Sequence, residues 1–239
     1  MREISGTTTL VGILGWPVSH SLSPAMHNAS FEALGLDWAY LPLPTPPERL
    51  PDAVHGLVAT GFAGANVTIP HKTTVIAVCD EVDDDARHAD SVNTLVFRDG
   101  RVLGFNTDKE ILAGIEARRA CVIGAGGAAL ALAPALPPDT RVFSRRGDWP
   151  PRAEDCDLIV NATPVRDELL VEPRAGQTVV DLAYDRETGA ETKLVEAARA
   201  AGSTVVDGLE ALVRQGAKSF ELWTEIVAPV EAMRAAIRP

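Results

Sequence analysis

The sequence predicts an α/β protein built from two units, and three observations carry that expectation. Strand-like and helix-like segments alternate from residue 9 to residue 69, the signature of a mostly parallel α/β sheet. An apolar strand then runs directly into Gly124-Ala125-Gly126-Gly127-Ala128-Ala129, which opens a helix-forming Ala/Leu stretch. The tail from Leu209 onward has helical spacing.

In chain order, residues 9–14 form a short strand ending at Gly15, and a loop covers 16–23. Pro24 suits the first turn of a helix reaching about Leu34, with Ser23 as its N-cap and Gly35 as its C-terminal stop. Residues 37–43 are a second strand whose end runs into the proline-rich 41–47 turn, 48–59 a helix stopped by Gly61, and 64–69 a third strand. After Pro70 comes a helix-like stretch over 73–78. Segments 91–98 and 101–105 flank Asp99-Gly100, a two-residue hairpin signal that brings Asn93 near Asn106. A helix is expected from Asp108 to about Ala117, with the passage into the second unit at Arg118-Arg119. That unit has strands at 120–123, 140–143, 157–160, 178–182 and 203–206, and a helix at 191–201 ended by Gly202. The helix after the glycine turn is short, because Pro134 interrupts it and Pro137-Pro138 close it. In the tail, Leu212, Val213, Phe220, Trp223, Ile226 and Val227 are the expected core residues.

Composition narrows the function classes. The 239 residues are 46% hydrophobic and 23% charged, which is ordinary for a globular chain. No apolar run is long enough to span a bilayer, and Met1 to Ser5 is too polar for a signal peptide, so a soluble cytoplasmic protein without a membrane partner is expected. Cys79, Cys121 and Cys156 lie far apart in apolar segments, and the five histidines form no cluster, so neither a disulfide nor a metal is expected. A net charge of −11 argues against nucleic acid. The same charge requires that any site for an anionic ligand be made locally positive by helix N-termini, Lys72 and the Arg145-Arg146 pair.

Two segments hold the candidate chemistry. Asn66-Val67-Thr68-Ile69-Pro70-His71-Lys72 delivers a lysine from a strand end, and Asn106-Thr107-Asp108 delivers an aspartate. Together they can form a proton-handling pair; taken singly, Lys72 reads as a surface lysine and Asp108 as a helix cap. In the second unit, Gly124, Gly126, Gly127 and Ala128 form a strand-to-helix turn whose amides can hold a pyrophosphate. The strand after it ends in Ser144-Arg145-Arg146, two guanidinium groups where an acid would recognise a ribose hydroxyl, which favours a 2'-phosphate and hence NADP(H). Asn161-Ala162-Thr163-Pro164 lies at a third strand's C-terminal end, where ligands of open α/β sheets bind.

In this order the motifs resemble the shikimate dehydrogenase family. The pieces are Gly15-Trp16-Pro17-Val18-Ser19-His20-Ser21-Leu22-Ser23-Pro24-Ala25-Met26-His27-Asn28, Gly64 through Lys72, Ser91-Val92-Asn93-Thr94, Gly104-Phe105-Asn106-Thr107-Asp108, the glycine turn, Asn161 through Pro164, and Asp207-Gly208 leading to Gln215. The resemblance implies a substrate-binding and catalytic domain over 1–108, a Rossmann-like NADP-binding domain over 109–208, and C-terminal helices over 209–239 that return to the substrate domain. It implies Lys72 and Asp108 as the catalytic pair, Ser21 and Ser23 holding the shikimate carboxylate, Asn66, Thr68, Asn93 and Gln215 around the ring, and Tyr184 near the carboxylate. The cofactor positions it implies are Gly124, Gly126, Gly127, Ala128, Ser144, Arg145, Arg146, Asn161, Thr163 and Gly208. The implied reaction is NADPH-dependent, reversible reduction of 3-dehydroshikimate to shikimate, by a monomer or homodimer. A quinate/shikimate dehydrogenase using NAD and a catalytically silent cofactor-binding homologue are the alternatives. The chain departs from the family pattern at Val165-Arg166-Asp167, where a glycine-containing turn is usual, at Lys109 in place of glycine, at Ser144 in place of asparagine, and at Arg146 in place of threonine.

Overall fold

A computed structural model describes residues 4–185 and 190–238; Met1, Arg2 and Glu3 of the N-terminal segment read above lie outside the described residues. The chain divides into two compact units, 1–108 with 213–239, and 109–212.

The first unit contains a six-stranded sheet made of β1 (Thr9–Gly15), β2 (Trp38–Pro44), β3 (Gly64–Val67), β4 (Glu81–Val82), β5 (Thr94–Arg98) and β6 (Arg101–Phe105), in the order β2-β1-β3-β5-β6-β4. The β1 pairings with β2 and β3, and that of β4 with β6, are parallel; β5 runs antiparallel to both β3 and β6. The β5–β6 hairpin turns at Asp99 and Gly100, both at positive φ, the backbone that an Asp-Gly pair accommodates. Helices α1 (Ser23–Ala33), α2 (Leu50–Ala59) and α3 (Asp84–Ala89) belong to this unit. Leu14, Val54, Val67, Val75 and Leu95 are among the residues of one buried cluster, and Phe31 stacks on Phe220 from the C-terminal part of the chain.

The second unit is a five-stranded, wholly parallel sheet of β7 (Arg119–Ile123), β8 (Asp139–Phe143), β9 (Leu158–Asn161), β10 (Thr178–Asp181) and β11 (Thr204–Val206), ordered β11-β10-β9-β7-β8. Along β7, Ala120 and Val122 join one core cluster while Cys121 and Ile123 join another, so both faces are covered, as parallel sheets require. The chain runs from β7 to β8 on one side and then crosses back to β9 on the other, which makes the β7 carboxyl end the sheet's switch point. Helices α4 (Gly127–Leu132) and α5 (Lys193–Ala200) pack here. As its prolines predict, α4 is only six residues long. The 17-residue α6 (Gly208–Thr224) starts in the second unit and continues into the first, where α7 (Val230–Ile237) packs on α1.

Several expectations need correction. The helix expected from Asp108 to Ala117 is a 3-10 stretch, Asp108–Leu112, ended by Gly114 at φ 74°. The 73–78 stretch is likewise 3-10, over Thr74–Val78. Strand β3 stops at Val67 rather than residue 69, since His71 N–H turns back to the Thr68 carbonyl. Leu22, not Ser23, is the N-cap of α1, and it is Ser21 Oγ that accepts the Ser23 N–H, at 3.2 Å. Ile226 and Val227 are not core: α6 ends at Thr224, Glu225 takes φ 59°, and the two side chains stand 41% and 81% exposed in the connecting loop. Strand β4 and helix α3 were not expected at all; the helix begins with Asp83 Oδ1 accepting the Ala86 N–H.

Candidate active site

Lys72 leaves the turn after β3 held on both flanks. Its carbonyl accepts the Val92 N–H at 2.8 Å, and the neighbouring His71 is buried with Nε2 2.7 Å from the Thr45 carbonyl oxygen. Lys72 Nζ donates to Asp108 Oδ2 at 2.7 Å, with the side chains 27% and 10% exposed. The other carboxylate oxygen, Oδ1, accepts from Asn93 Nδ2 at 2.8 Å, and the Asp108 N–H donates to Asn106 Oδ1 at 2.8 Å. Both oxygens of Asp108 thus face donors, an arrangement suited to a carboxylate anion beside an ammonium. Most of the pair is withdrawn from water, so it is not one of the surface ion pairs that contribute little.

Asn93 cannot be turned over in this setting. Its Oδ1 accepts from the Thr107 N–H at 2.9 Å, from Thr107 Oγ1 at 3.1 Å and from Thr94 Oγ1 at 2.9 Å, leaving Nδ2 for Asp108. A second buried amide lies behind it. Asn66 Oδ1 accepts from the Tyr40 hydroxyl at 2.8 Å, while Nδ2 reaches the Asn93 carbonyl oxygen at 3.1 Å, Thr94 Oγ1 at 3.1 Å and Ser219 Oγ at 2.9 Å. Burial pushes the Tyr40 phenol well above its ordinary value, with the Ser23 hydrogen bond working against the shift. Ser219 lies one turn beyond Gln215 on α6, its hydroxyl within 3.2 Å of the Gln215 carbonyl oxygen. Ser21 is half-buried and Ser23 buried at the start of α1; Thr68 is half-buried at the end of β3, where its methyl group would meet a Cβ placed on Gly15 at 2.5 Å.

Lys72, Asp108, Asn66, Asn93 and Gln215 therefore all belong to the first unit, with Ser21, Ser23 and Thr68. The sequence reading missed Tyr40, Thr94, Thr107 and Ser219. Each reads locally as an ordinary strand, loop or helix residue, and only the sheet order together with the packing of α6 brings the four hydroxyls onto Asn66 and Asn93.

In the second unit the β7 carboxyl end carries Gly124 at φ 108°, where an added Cβ would lie 3.0 Å from the Ala162 carbonyl oxygen. Gly126 and Gly127 are exposed, and a Cβ on either would meet nothing within 4 Å, so the turn presents open backbone. Ala128 is exposed beside them. Ile123 is paired with Phe143, which puts Ser144, Arg145 and Arg146 at the same sheet edge as the glycine turn. Donors and bare backbone of this kind fit a dinucleotide phosphate.

Asn161, expected among the cofactor contacts, is fully buried. Its Nδ2 donates to Asp181 Oδ1 at 2.8 Å and its Oδ1 accepts from Thr163 N–H and Oγ1 at 3.0 and 2.7 Å, so it lies beneath the loop and braces Thr163 from inside. Asp181 in turn accepts from Thr192 Oγ1 at 2.5 Å and from the Ala183 N–H at 2.9 Å; burial raises its carboxyl above the ordinary range. Gly208 has a packing reason to be glycine, because a Cβ there would meet the Ala183 carbonyl oxygen at 2.6 Å and Tyr184 Cδ1 at 2.8 Å. Tyr184 is half-buried, which raises its phenol.

The expectation of two guanidinium groups without an acid also changes. Glu168, the residue after Val165-Arg166-Asp167, accepts from Arg145 Nη2 at 2.5 Å.

Two segments of the chain match known family domains. Residues 13–95 match the shikimate dehydrogenase substrate binding domain, and residues 208–238 match the shikimate 5'-dehydrogenase C-terminal domain. A shikimate dehydrogenase (NADP(+)) of Methanopyrus kandleri is 39% identical, the match covering 98% of this chain and 97% of that one. The chain belongs to the shikimate dehydrogenase family. A second member, shikimate dehydrogenase (NADP(+)) of Rubrobacter xylanophilus, is 42% identical over the same shares of the two chains. The Thermus thermophilus shikimate 5-dehydrogenase, solved in complex with NADP(H) and shikimate, is 34% identical with a TM-score of 0.82, covering 96% of this chain and 98% of that one. The sheets are parallel-rich and the glycine turn lies in the second unit. Among the described residues no helix is long and apolar enough to cross a membrane.

Proposed function

We propose that the chain is an NADPH-dependent shikimate dehydrogenase, which reversibly reduces 3-dehydroshikimate to shikimate in the route to chorismate and the aromatic amino acids. The observation that carries the reading is the 2.7 Å contact of Lys72 and Asp108, braced by Asn93. Bound NADPH supplies a hydride from C4 of its nicotinamide. The chain's own task is the charge and the proton. As a ketone is reduced its oxygen becomes negative, and the ammonium of Lys72 stabilises that charge and delivers the proton. Asp108 holds the ammonium through Oδ2 and, being clamped by Asn93 at Oδ1, keeps it from swinging toward solvent. In the reverse direction the pair accepts the hydroxyl proton together.

Ser21, Ser23, Asn66, Thr68, Asn93, Gln215 and Tyr184 are proposed to bind the substrate. Asn66 already spends its amide on internal hydrogen bonds and so serves the ring chiefly by fixing its neighbours, whereas Asn93 Nδ2 gives only one of its two N–H groups to Asp108 and keeps the other for the substrate. Gly124, Gly126, Gly127, Ala128, Ser144, Arg145, Arg146, Thr163 and Gly208 are proposed to line the cofactor site, with Asn161 supporting Thr163 from below. The domain roles follow: 1–108 with the C-terminal helices for substrate and catalysis, 109–208 for NADP(H). A cytoplasmic protein, monomeric or homodimeric, is the expected setting.

Lys72→Ala should lower turnover by roughly 10² or more while leaving NADPH affinity nearly intact. Stopped-flow rates and a binding titration check this, and a loss of turnover below about tenfold would remove Lys72 from the chemistry. Measuring NADPH and NADH consumption with 3-dehydroshikimate, and NAD reduction with quinate, separates this reading from a quinate dehydrogenase and from a silent homologue.

A further inference from the structure

Arg145 does not stand free at the end of β8. Its guanidinium lies 5.2 Å from the centre of the Trp149 ring, and Nη2 donates to Glu168 Oε2 at 2.5 Å. The turn that carries it is fixed by its own backbone: Ser144 N–H donates to the Asp148 carbonyl at 3.0 Å, and Gly147 N–H to the Ser144 carbonyl at 2.9 Å. Arg146 is exposed and has no ion-pair partner among the described residues. Glu168 arrives 23 positions later in the chain, from the 165–168 segment after Pro164.

We infer that Glu168 is a specificity-determining residue for the cofactor: it occupies Arg145 and so competes with the ribose 2'-phosphate. This rests on the NADP(H) reading above. The Trp149 ring and the carboxylate flank the guanidinium, with Nη2 already engaged by an anion. A 2'-phosphate must displace that carboxylate or share the arginine with it, and an additional negative charge then stands beside the dianion. A cofactor carrying only a 2'-hydroxyl leaves the Arg145–Glu168 pair undisturbed. The pair therefore favours the unphosphorylated ribose and narrows the discrimination that Arg145 and Arg146 would otherwise give. Both side chains are more than half exposed, 61% and 54%, so the effect is that of a surface pair.

The test uses two probes that differ only in the 2'-phosphate, adenosine 2',5'-bisphosphate and adenosine 5'-monophosphate, titrated calorimetrically into the full-length protein. Glu168→Gln should tighten the bisphosphate by about twofold to fivefold and leave the monophosphate unchanged. In an Arg145→Ala background the same Glu168→Gln substitution should have no selective effect, because the competition runs through that guanidinium. Equal tightening of both probes would reduce Glu168 to one charge among many and overturn the inference, as would the same selective gain without Arg145. If the unmodified protein binds the bisphosphate no better than the monophosphate while Glu168→Gln does, the competition stands and the NADP(H) preference fails. If neither protein distinguishes the probes, both fall.

Discussion

At the residue scale, His27 shows how burial alone sets an ionisation. It is fully buried, stacks on Tyr40 at 4.5 Å and lies 5.3 Å from the Trp223 ring centre, and neither ring nitrogen has a hydrogen-bond partner among the described residues. Desolvation lowers its pKa from 6.5 to about 3. Its folded value thus lies below its unfolded one, so between about pH 6.5 and pH 3 the unfolded chain binds the extra proton. Stability from this source is complete above pH 6.5 and declines as the pH falls, by about 1.4 kcal/mol per pH unit at the steepest. His27→Phe keeps an aromatic ring against Tyr40 and Trp223 and removes the titrating group. Urea unfolding at pH 7 and pH 5 should therefore show a smaller acid loss for the variant, by about 2 kcal/mol; equal losses would mean that His27 is protonated in the folded protein. The contact of Lys72 with Asp108 was expected for a different reason. Lys72 and Asp108 end short segments whose order along the chain matches a family pattern, whereas the hydroxyls of Tyr40, Thr94, Thr107 and Ser219 gain meaning only from contacts across strands and from α6.

At the element scale, the parallel sheet of the second unit was legible because its strands are apolar runs closed by turn residues. What escaped were elements held by side-chain hydrogen bonds or broken by a single backbone angle: α3, capped by Asp83, the stretch after Asp108 stopped at Gly114, and the exposed loop after Thr224. Helix α5 shows how much one such bond carries. Thr192 Oγ1 accepts the Val195 N–H at 3.2 Å, capping the helix, and donates to the buried Asp181, which also holds Asn161. Thr192→Val keeps the volume but removes the cap and leaves one oxygen of a buried carboxyl without its donor. The cap is worth about 1 kcal/mol and the stranded oxygen about 1–3 kcal/mol. A loss of roughly 2–4 kcal/mol in chemical unfolding is expected, and a loss under about 1 kcal/mol would show that the carboxyl finds another partner. Because Asn161 braces Thr163 through the same network, NADPH affinity should fall in this variant more than shikimate affinity does.

At the scale of the whole molecule, the charge of −11 and the proposed ligands oppose each other. A shikimate carboxylate and a dinucleotide phosphate are both anions, and the field of the chain repels them until they come within reach of Lys72, Arg145 and Arg146. The two contributions respond differently to salt. Raising ionic strength from 0.01 M to 0.15 M shortens the screening length from about 30 Å to about 8 Å, which removes most of the long-range repulsion. Contacts made at the site itself are partly buried and weaken much less; Lys72 is only 27% exposed. The expected result is that kcat/KM for 3-dehydroshikimate at saturating NADPH rises by roughly twofold or more across that range before levelling off. Sodium chloride titrated at fixed pH provides the measurement, and potassium chloride separates screening from ion-specific effects. A steady fall from the lowest salt upward would show that the local cations, and not the acidic surface, govern the approach of the substrate.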